Sequence, residues 1–469
     1  MPKFTIEEIV KATNGLLLAG GSQAQITGVS IDSRSLVPGD VFFALKGPNF
    51  DGHTFAAAAA EKGAAAIVSG RELDLPPTWS GAVIKVRDTL QAYGDLAHYH
   101  RQRYACPVIG ITGSNGKTTT KELIAAVLGE KYNVVKTEKN YNNEIGLPQT
   151  LFKMDNTTEA VVVEMGMRGK GQIAYLAKLA QPTVGVITNI GVTHLELLGT
   201  QAAIAAAKGE LIDGLPPSGL AVLNGDDPLV IPMATKFAGE SLFYSLKKPD
   251  GFGKIEPALY LVAATTKGDR EVVTVDGRWG QFAFTLPLLG RHNIANALAA
   301  LIVGLSLGLT PDEAVRGLQR VDSVDNRLRK IEVGGITVLD DTYNASPPSV
   351  QAALEVLHKL KNPGRKIAVL GDMLELGTVA REAHYKTGEL AAAYGCTALF
   401  AYGPLSVAMV EGATQKQIYA RHFATKDELW VELQTYLTPG DAVLFKGSRG
   451  MAMETLVEKV ITHNKGGEE

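Results

Sequence analysis

Cysteine, aromatic residues and excess charge are all scarce in this chain of 469 residues, and each scarcity excludes a class of protein. With only Cys106 and Cys396, the chain has no disulfide framework, and two lone thiols are typical of a reducing compartment. The net charge is −3, from 46 basic and 49 acidic residues, which excludes a nucleic-acid-binding protein held by an overall basic field but not a local anion site. An aromatic content of 7% also disfavours a strand-separating motor, which stacks bases on aromatic rings.

A long uninterrupted apolar segment is missing as well. The amino terminus carries Glu7 and Glu8 where a signal peptide needs an apolar stretch. The longest apolar run, 294–309, is interrupted by Asn296 and Ser306 and is too short to span a bilayer. We therefore expect a soluble, cytoplasmic protein without nucleic-acid partners or stable membrane insertion, and we expect it to be a monomer.

The chain length predicts about three domains. The pattern divides it into an amino-terminal α/β region over 1–104, a central region over 105–324 and a carboxy-terminal region over 325–469. In the central region, continuous apolar runs such as 160–164 and 183–190 alternate with helices, which predicts a mostly parallel sheet. The third region repeats βα units in a Rossmann-like pattern. No G-x-G-x-x-G follows its strands, which disfavours a nicotinamide or flavin enzyme.

The strongest local signal is VIGITGSNGKTTT at 108–120, where an apolar strand, a glycine-bearing turn and a helix start follow one another. Backbone amides there can cradle phosphate oxygens, while Lys117 can reach the terminal phosphates and the Thr118 hydroxyl can bind Mg²⁺. The strict G-x-x-x-x-G-K-[ST] pattern fails by one position, because Ile111 stands where its first glycine is expected. We predict that the following residues bind ATP: Gly113, Ser114, Asn115, Gly116, Lys117, Thr118 and Thr119.

A phosphate loop alone leaves kinase, GTPase, motor and ligase open. The guanine-specifying N-K-x-D motif is absent, which disfavours a regulatory GTPase. Other polar residues also follow predicted strands, at the sheet edge where α/β folds bind ligands. Glu164 ends one such strand and is well placed to hold Mg²⁺. Spacing alone leaves His194 open between metal ligand and capping or core residue, and it makes Lys208 an ordinary solvated lysine.

Taken together, the motifs resemble those of the Mur ligase family, whose members build the peptide stem of the bacterial cell-wall precursor. The chain contains, in the order of that family, TGSNGKTTT, KTEKNYNNEIGLP, VVVEMGM, TNIGVTH, AAAKGEL, NGDDP and GRHNIANALAA. The amino-terminal string IDSRSLVPGDVFFALKGPNFDGHTF resembles the family's nucleotide-sugar-binding domain, so the resemblance covers essentially the whole chain. EMG and DDTYNASPPS resemble the members that add D-alanyl-D-alanine, although Ser346 stands where asparagine is more common. The D-N-P-R motif of diaminopimelate-adding members is absent.

The resemblance implies an α/β fold with the three-domain Mur ligase architecture. A small amino-terminal α/β domain would bind the UDP-sugar substrate, a central P-loop ATPase domain would bind ATP, and a Rossmann-like ligase domain would follow. The implied reaction joins D-alanyl-D-alanine to UDP-N-acetylmuramoyl-tripeptide through an acyl phosphate, with ATP and Mg²⁺ as cofactors. The alternatives are the amino-acid-adding ligase of the preceding step, a folate-type polyglutamate ligase and a non-catalytic nucleotide-binding switch.

The same resemblance assigns roles to individual residues. The implied catalytic residues are Lys117, Asn142, Asn143, His194 and Lys208. The implied metal-binding residues are Thr118, Glu164, His194 and Lys208, the last as a carbamate. Further nucleotide contacts are implied for His292, Asn293, Asn296, Arg327 and Asp341. The substrate residues are expected to be Ser33, Arg34, Lys46, Gly47, Asp51, Gly52, His53, Asn344, Ser346, Lys446, Ser448 and Arg449.

Overall fold

A computed structural model describes residues 3–47, 50–249, 256–321, 326–361 and 364–465. Over these residues the chain forms α/β units around sheets of five, nine and six strands, with a further two-stranded ribbon. The predicted boundary between 324 and 325 lies outside the described residues. No helix of the described part is long and apolar enough to cross a membrane.

The amino-terminal unit carries the five-stranded sheet, in the order β2-β7-β6-β5-β4, and the β1-β3 ribbon. Its strands are β1 (Phe4–Thr5), β2 (Leu16–Ala19), β3 (Gln25–Ile26), β4 (Gly28–Ser30), β5 (Asp40–Phe43), β6 (Ala66–Ser69) and β7 (Ala82–Lys85). Its helices are α1 (Ile6–Thr13), α2 (Ala56–Glu61) and α3 (Thr89–Arg101), with a 3₁₀ turn at Gly52–Phe55. Thr5 begins α1 in a capping box with Glu8.

Helix α3 joins this unit to the central one. The buried Arg101 guanidinium donates from Nε to the Ala180 carbonyl at 2.9 Å. His98 Nδ1 lies 3.1 Å from the Leu179 carbonyl. Both acceptors lie at the end of one central helix, so hydrogen bonds, one of them charge-assisted by Arg101, join the two units.

The central unit is a nine-stranded sheet in the order β16-β15-β14-β13-β12-β11-β8-β10-β9. Its strands are β8 (Val108–Thr112), β9 (Val134–Lys136), β10 (Ala160–Glu164), β11 (Val184–Ile187), β12 (Leu220–Asn224), β13 (Glu240–Ser245), β14 (Leu259–Lys267), β15 (Arg270–Gly277) and β16 (Phe282–Leu286). Its helices are α4 (Lys117–Leu128), α5 (Gly146–Leu151), α6 (Gln172–Ala180), α7 (Leu195–Leu198), α8 (Gln201–Asp213), α9 (Arg291–Ser306) and α10 (Pro311–Gln319), with a 3₁₀ turn at Ile231–Lys236. Every pair of neighbouring strands between β14 and β9 in that order is parallel. The strand β15 pairs antiparallel with both β14 and β16.

The order of the strands in the central sheet indicates where a ligand would bind. The chain leaves β8 on one side to form β9 and β10, and then crosses to the other side to form β11. Ligands of open α/β sheets bind outside the carboxyl ends of the strands at such a reversal. The end of β8 at Thr112 therefore lies between Glu164, which ends β10, and the segment after Ile187, which ends β11.

The carboxy-terminal unit is a six-stranded sheet in the order β17-β18-β22-β19-β20-β21, in which only the pairing of β17 with β18 is antiparallel among the described strands. Its strands are β17 (Arg329–Val333), β18 (Ile336–Asp341), β19 (Lys366–Gly371), β20 (Ala398–Tyr402), β21 (Tyr419–Phe423) and β22 (Ala442–Lys446). Its helices are α11 (Pro347–Lys359), α12 (Ala380–Ala393), α13 (Val407–Gln415), α14 (Lys426–Tyr436) and α15 (Glu454–Lys465), with 3₁₀ turns at Gly377–Val379 and Arg449–Met451. The predicted α/β class with mostly parallel sheets is confirmed.

Candidate functional site

A cavity of about 1020 Å³ is lined by residues from the carboxyl edges of both larger sheets. Most of the residues predicted for the ATP and dipeptide sites line it. They are Ser114, Asn115, Gly116, Lys117, Thr118, Thr119, Asn142, Asn143, Glu164, His194, Lys208, His292, Asn293, Asn296, Arg327, Asp341, Asn344, Lys446, Ser448 and Arg449. The site is therefore shared between the central and carboxy-terminal units.

Two glycines of the predicted phosphate loop hold backbone conformations that side chains rarely adopt. Gly113 has a φ of 153°, and a Cβ on it would lie 1.8 Å from Thr188 Oγ1. Gly116 has a φ of 83° and begins α4, and its Cβ would lie 2.6 Å from Asn296 Oδ1. Since neither position has room for a side chain, the turn depends on glycine at both.

Asn189, in the segment after β11, fixes the same loop. Its carbonyl accepts the Ser114 N–H at 2.9 Å, and its Oδ1 accepts the Asn115 N–H at 3.0 Å. Lys117 Nζ donates to the carbonyls of Gly113 at 2.8 Å and Ser114 at 3.3 Å. Burial lowers the pKa of Lys117, and the nearby Glu164 carboxylate opposes that shift. The loop therefore presents a helix N-terminus and a lysine to the cavity, which together suit an anionic ligand.

The Glu164 carboxylate is 2% exposed and both of its oxygens are engaged. Oε2 accepts from the Thr118 hydroxyl at 2.7 Å, and Oε1 accepts from Asn142 Nδ2 at 2.7 Å. The described residues contain no group of three or more His, Cys, Asp and Glu placed to hold a metal ion. A hydroxyl beside one carboxylate still fits Mg²⁺, because this ion takes few protein ligands and keeps waters and substrate phosphates.

Lys208 and His194 lie in the same cavity, but burial changes their chemistry. Lys208 is 2% exposed on α8, so the solvated lysine that spacing suggested is wrong. Burial, reinforced by the positive charge of Lys117, lowers the pKa of Lys208 well below its ordinary value. Burial also lowers the pKa of His194, against the opposing charge of Glu375. Burial therefore shifts both groups towards their neutral forms.

Two of the residues predicted to contact the nucleotide, Asn293 and Asn296, form a hydrogen-bonded chain on α9. Asn296 accepts at Oδ1 from the Thr120 hydroxyl at 3.1 Å and donates from Nδ2 to Asn293 Oδ1 at 3.2 Å. Asn293 Nδ2 in turn donates to the Leu289 carbonyl at 2.9 Å. Burial and the positive charge of Lys446 lower the pKa of His292 to about 4, so its ring is neutral near pH 7.

A buried ion pair faces this helix from the carboxy-terminal sheet. The parallel register of β18 and β22 sets Asp341 beside Lys446, and their side chains meet at 2.5 Å. Lys446 Nζ also donates to the Asn344 carbonyl at 2.8 Å. Burial raises the pKa of Asp341 and lowers that of Lys446, while each partner's charge opposes the shift of the other. The pair lies at the sheet edge where ligands bind, so a polar ligand can replace part of the contact between Asp341 and Lys446.

Side chains of the carboxy-terminal unit reach the phosphate loop directly. Arg327 Nη2 donates to the Thr118 hydroxyl at 2.9 Å, and its guanidinium lies 4.1 Å from the centre of the Tyr343 ring. The Ser346 hydroxyl donates to Asn115 Oδ1 at 2.9 Å. Ser346, where the family resemblance leads one to expect asparagine, thus contacts the phosphate loop.

The predicted substrate residues of the amino-terminal unit do not line this cavity. They are Ser33, Arg34, Lys46, Gly47, Asp51, Gly52 and His53. Most of them lie around one turn of their own unit: Lys46 bridges to Asp51, whose carboxylate lies 2.6 Å from His53 Nδ1. Arg34 pairs instead with Asp32 at 2.7 Å. Lys46, Asp51 and His53 therefore form a second candidate region, separate from this cavity.

Sequence reasoning missed Asn189, Tyr343 and Glu375, which all line the cavity. Each follows a parallel strand at its carboxyl end, namely β11, β18 and β19. The rule that singled out Glu164 would have found Asn189 and Tyr343, which follow the ends of β11 and β18 closely, had it been applied to amide and aromatic residues as well.

Three family models match the chain. Residues 25–101 match the model described as Mur ligase family, catalytic domain. Residues 111–304 match Mur ligase middle domain, and residues 326–449 match Mur ligase, glutamate ligase domain.

Whole-length relatives and solved structures agree with these matches. The UDP-N-acetylmuramoyl-tripeptide–D-alanyl-D-alanine ligase of Bacillus subtilis (strain 168) is 38% identical over 465 residues, covering 98% of this chain and 99% of the relative. A crystal structure of MurF from Acinetobacter baumannii is similar with a TM-score of 0.90 at 31% identity, covering 98% of this chain and 99% of that one. MurF ligase from Thermotoga maritima in complex with ADP gives a TM-score of 0.82 at 30% identity, covering 94% and 98%.

Proposed function

The chain belongs to the Mur ligase family, and on that premise we propose that it joins D-alanyl-D-alanine to UDP-N-acetylmuramoyl-tripeptide in peptidoglycan precursor synthesis. It is an ATP-dependent peptide ligase. The observation that supports the proposal most is the shared cavity, in which the phosphate loop faces the Asp341–Lys446 pair of the other unit. One cavity can therefore hold ATP and an incoming dipeptide side by side.

The reaction makes an amide from a carboxylate, which is a poor electrophile at neutral pH. The stem carboxylate attacks the γ-phosphorus of ATP, which gives an acyl phosphate and ADP. The D-alanyl-D-alanine amine then attacks the acyl carbon and releases inorganic phosphate. Lys117 and the amides that start α4 bind the phosphates, and Asn142 and Asn143 lie beside the reacting carboxylate. Holding the anionic groups in place and neutralising them supplies most of the catalysis.

Thr118 and Glu164 would hold Mg²⁺, with His194 and carbamylated Lys208 at a second position. The ion supplies charge neutralisation at the phosphates when bound. The Thr118 hydroxyl and the Glu164 carboxylate, 2.7 Å apart, are oxygen donors of the kind that Mg²⁺ prefers.

His292, Asn293 and Asn296 bind the adenine side of ATP, while Arg327 and Asp341 contact its ribose and phosphates. Asn344, Ser346, Lys446, Ser448 and Arg449 bind the dipeptide. The region of Ser33, Arg34, Lys46, Gly47, Asp51, Gly52 and His53 binds the UDP-sugar end of the other substrate. The enzyme acts as a monomer in the cytoplasm.

Phosphate release tests the proposed function. Purified protein is given ATP, Mg²⁺ and UDP-N-acetylmuramoyl-tripeptide, and inorganic phosphate is measured after D-alanyl-D-alanine, diaminopimelate, lysine or glutamate is added. We expect release with the dipeptide alone. Release with a single amino acid would support the amino-acid-adding alternatives, and nucleotide binding without substrate-dependent release would support a switch.

Two lysine variants sharpen that assay. Lys117→Ala should abolish ADP formation because the terminal phosphates lose their cation, a loss of about 100-fold or more. The exposed Lys236 belongs to the same unit but does not line the cavity, so Lys236→Ala should keep normal turnover. Near-normal ADP formation by Lys117→Ala would contradict the phosphate-loop assignment.

A further inference from the structure

Glu375 contacts His194 across the boundary between two units, at the edge of the cavity. It belongs to the loop after β19 in the carboxy-terminal unit, and its Oε2 lies 2.7 Å from Nδ1 of His194. His194 belongs to the segment between β11 and α7 of the central unit. Both residues line the ATP cavity, and the histidine side chain is 19% exposed. The Glu375–His194 pair therefore links the two units at the edge of the cavity.

Both partners hold backbone conformations that are unusual for residues with a side chain. The φ angle is 62° at Glu375 and 68° at His194, both in the left-handed region. Such conformations cost energy, persist only where surrounding contacts enforce them and are concentrated at functional sites. Two of them meeting across one interface indicate that the loops are shaped for this contact.

The loop that carries Glu375 is tied to its own unit. The Met373 N–H donates to His384 Nε2 at 3.0 Å, and the Leu374 N–H donates to Ser448 Oγ at 2.8 Å. The His384 ring is fully buried, and its Nδ1 lies 2.6 Å from the Ala380 carbonyl. Because the two residues before Glu375 are fixed in this way, the backbone of Glu375 moves together with the carboxy-terminal unit.

A second close approach lies just beyond this pair. A Cβ on Gly377 would lie 3.3 Å from the Cα of Glu196 and 3.4 Å from its Cβ. The two loops therefore pack backbone against backbone next to the Glu375–His194 contact. This packing gives a direct way to measure whether the units are closed.

We propose that Glu375 is a positioning residue that holds the carboxy-terminal unit closed over the ATP cavity and orients His194 only in that closed state. The Glu375 carboxylate lies 2.7 Å from Nδ1, so it holds the imidazole ring in this orientation only while the two loops are in contact. The His194 side chain thus takes up its orientation in the cavity as the two units close. What the orientation of His194 contributes to the reaction rests on the proposed function, whereas the contact that closes the two units does not.

The test follows closure through a disulfide. Glu196→Cys and Gly377→Cys are introduced together, since their Cβ separation is close to the roughly 3.5–4.5 Å of a disulfide. The rate of crosslinking under mild oxidation is then measured with and without a non-hydrolysable ATP analogue. A cysteine at Gly377 is strained in every variant compared, so the strain cancels from the comparison.

Three further changes are compared in this background. Glu375→Gln should slow crosslinking about threefold, the scale expected for the loss of one polar contact to a carboxylate. Glu382→Gln removes a carboxylate of the same unit that pairs with Lys386 away from the cavity, and it should leave the rate unchanged. Glu375→Gly removes the carboxylate and relieves the left-handed strain, so crosslinking should slow without a fall in the thermal midpoint.

Equal crosslinking rates for Glu375→Gln and its parent would overturn the proposal. A lower thermal midpoint for Glu375→Gly with unchanged crosslinking would overturn it too, because it would make the residue merely structural. Crosslinking needs neither D-alanyl-D-alanine nor the tripeptide. Loss of closure in the Glu375 variants therefore supports the contact even if the phosphate-release assay rejects the proposed reaction.

Discussion

Burial decides what Lys208 can do. Its pKa lies well below the ordinary value because the side chain is desolvated and Lys117 is nearby. Only a neutral amine attacks CO₂, and the products are an N-carboxylate and a proton. A carbamate would place an anionic oxygen in the cavity beside the cation of Lys117. The depressed pKa therefore favours the modification that the family resemblance implies.

A carbamate on Lys208 can be detected directly. Protein equilibrated with ¹³C-bicarbonate should show a carbamate resonance that Lys208→Ala lacks and that Lys236→Ala keeps. The resonance should fade as the pH falls through the depressed pKa of Lys208, because protonation removes the reacting amine. Short carboxylic acids should restore part of the activity of Lys208→Ala. A missing resonance together with failed rescue would show that the amine works unmodified.

The site residues divide by the kind of information that identifies them. Glu164 could be predicted from the sequence because it ends an apolar strand beside a phosphate loop. Lys208 could not, since an alanine-rich helix does not reveal which face is buried, and only the family resemblance raised it. Glu375 was missed because its importance depends on a contact with His194, which lies 181 positions earlier in the sequence (375 − 194). Contacts between units leave no local pattern.

At the scale of elements, the turn between β8 and α4 depends on Gly113. An alanine there would combine a φ of 153° with a Cβ 1.8 Å from Thr188 Oγ1. We expect Gly113→Ala to lower the free energy of unfolding by about 2 kcal/mol or more and to weaken ATP binding. Gly21→Ala is the matched control, because no atom lies within 4 Å of its added Cβ. Urea unfolding and nucleotide titration of both variants check this, and equal behaviour would contradict it.

Strands that are buried on both faces were predicted well, because an apolar run is a direct signal. β10 has the predicted bounds, 160–164, and β8 (Val108–Thr112) is the apolar strand predicted at the start of the 108–120 motif. The run 183–190 forms a strand only over Val184–Ile187, since Thr188 and Asn189 hydrogen-bond to the phosphate loop instead. The antiparallel strands β14 to β16 were not predicted. β15 alternates buried and more exposed residues, so it lacks such a run.

For the whole molecule, the phosphate loop is one of the places where the central and carboxy-terminal units meet. Arg327 reaches Thr118, and Ser346 reaches Asn115, from the carboxy-terminal side. A nucleotide bound in this cavity as proposed would contact both units, so its binding free energy should stabilise both against unfolding. A free ligand at 100 times its Kd adds about 2.7 kcal/mol to the state that binds it.

Calorimetry can show this coupling. Without nucleotide, the units should unfold in separable transitions, because a few hydrogen bonds join the loop to the carboxy-terminal unit. With a non-hydrolysable ATP analogue and Mg²⁺, both transitions should move upward and approach one another, since neither unit can unfold without releasing the ligand. EDTA should reduce the shift if Thr118 and Glu164 hold Mg²⁺ on the nucleotide. An upward shift confined to one transition would mean that the ligand is bound by the central unit alone, and that Arg327 and Asp341 contribute nothing to it.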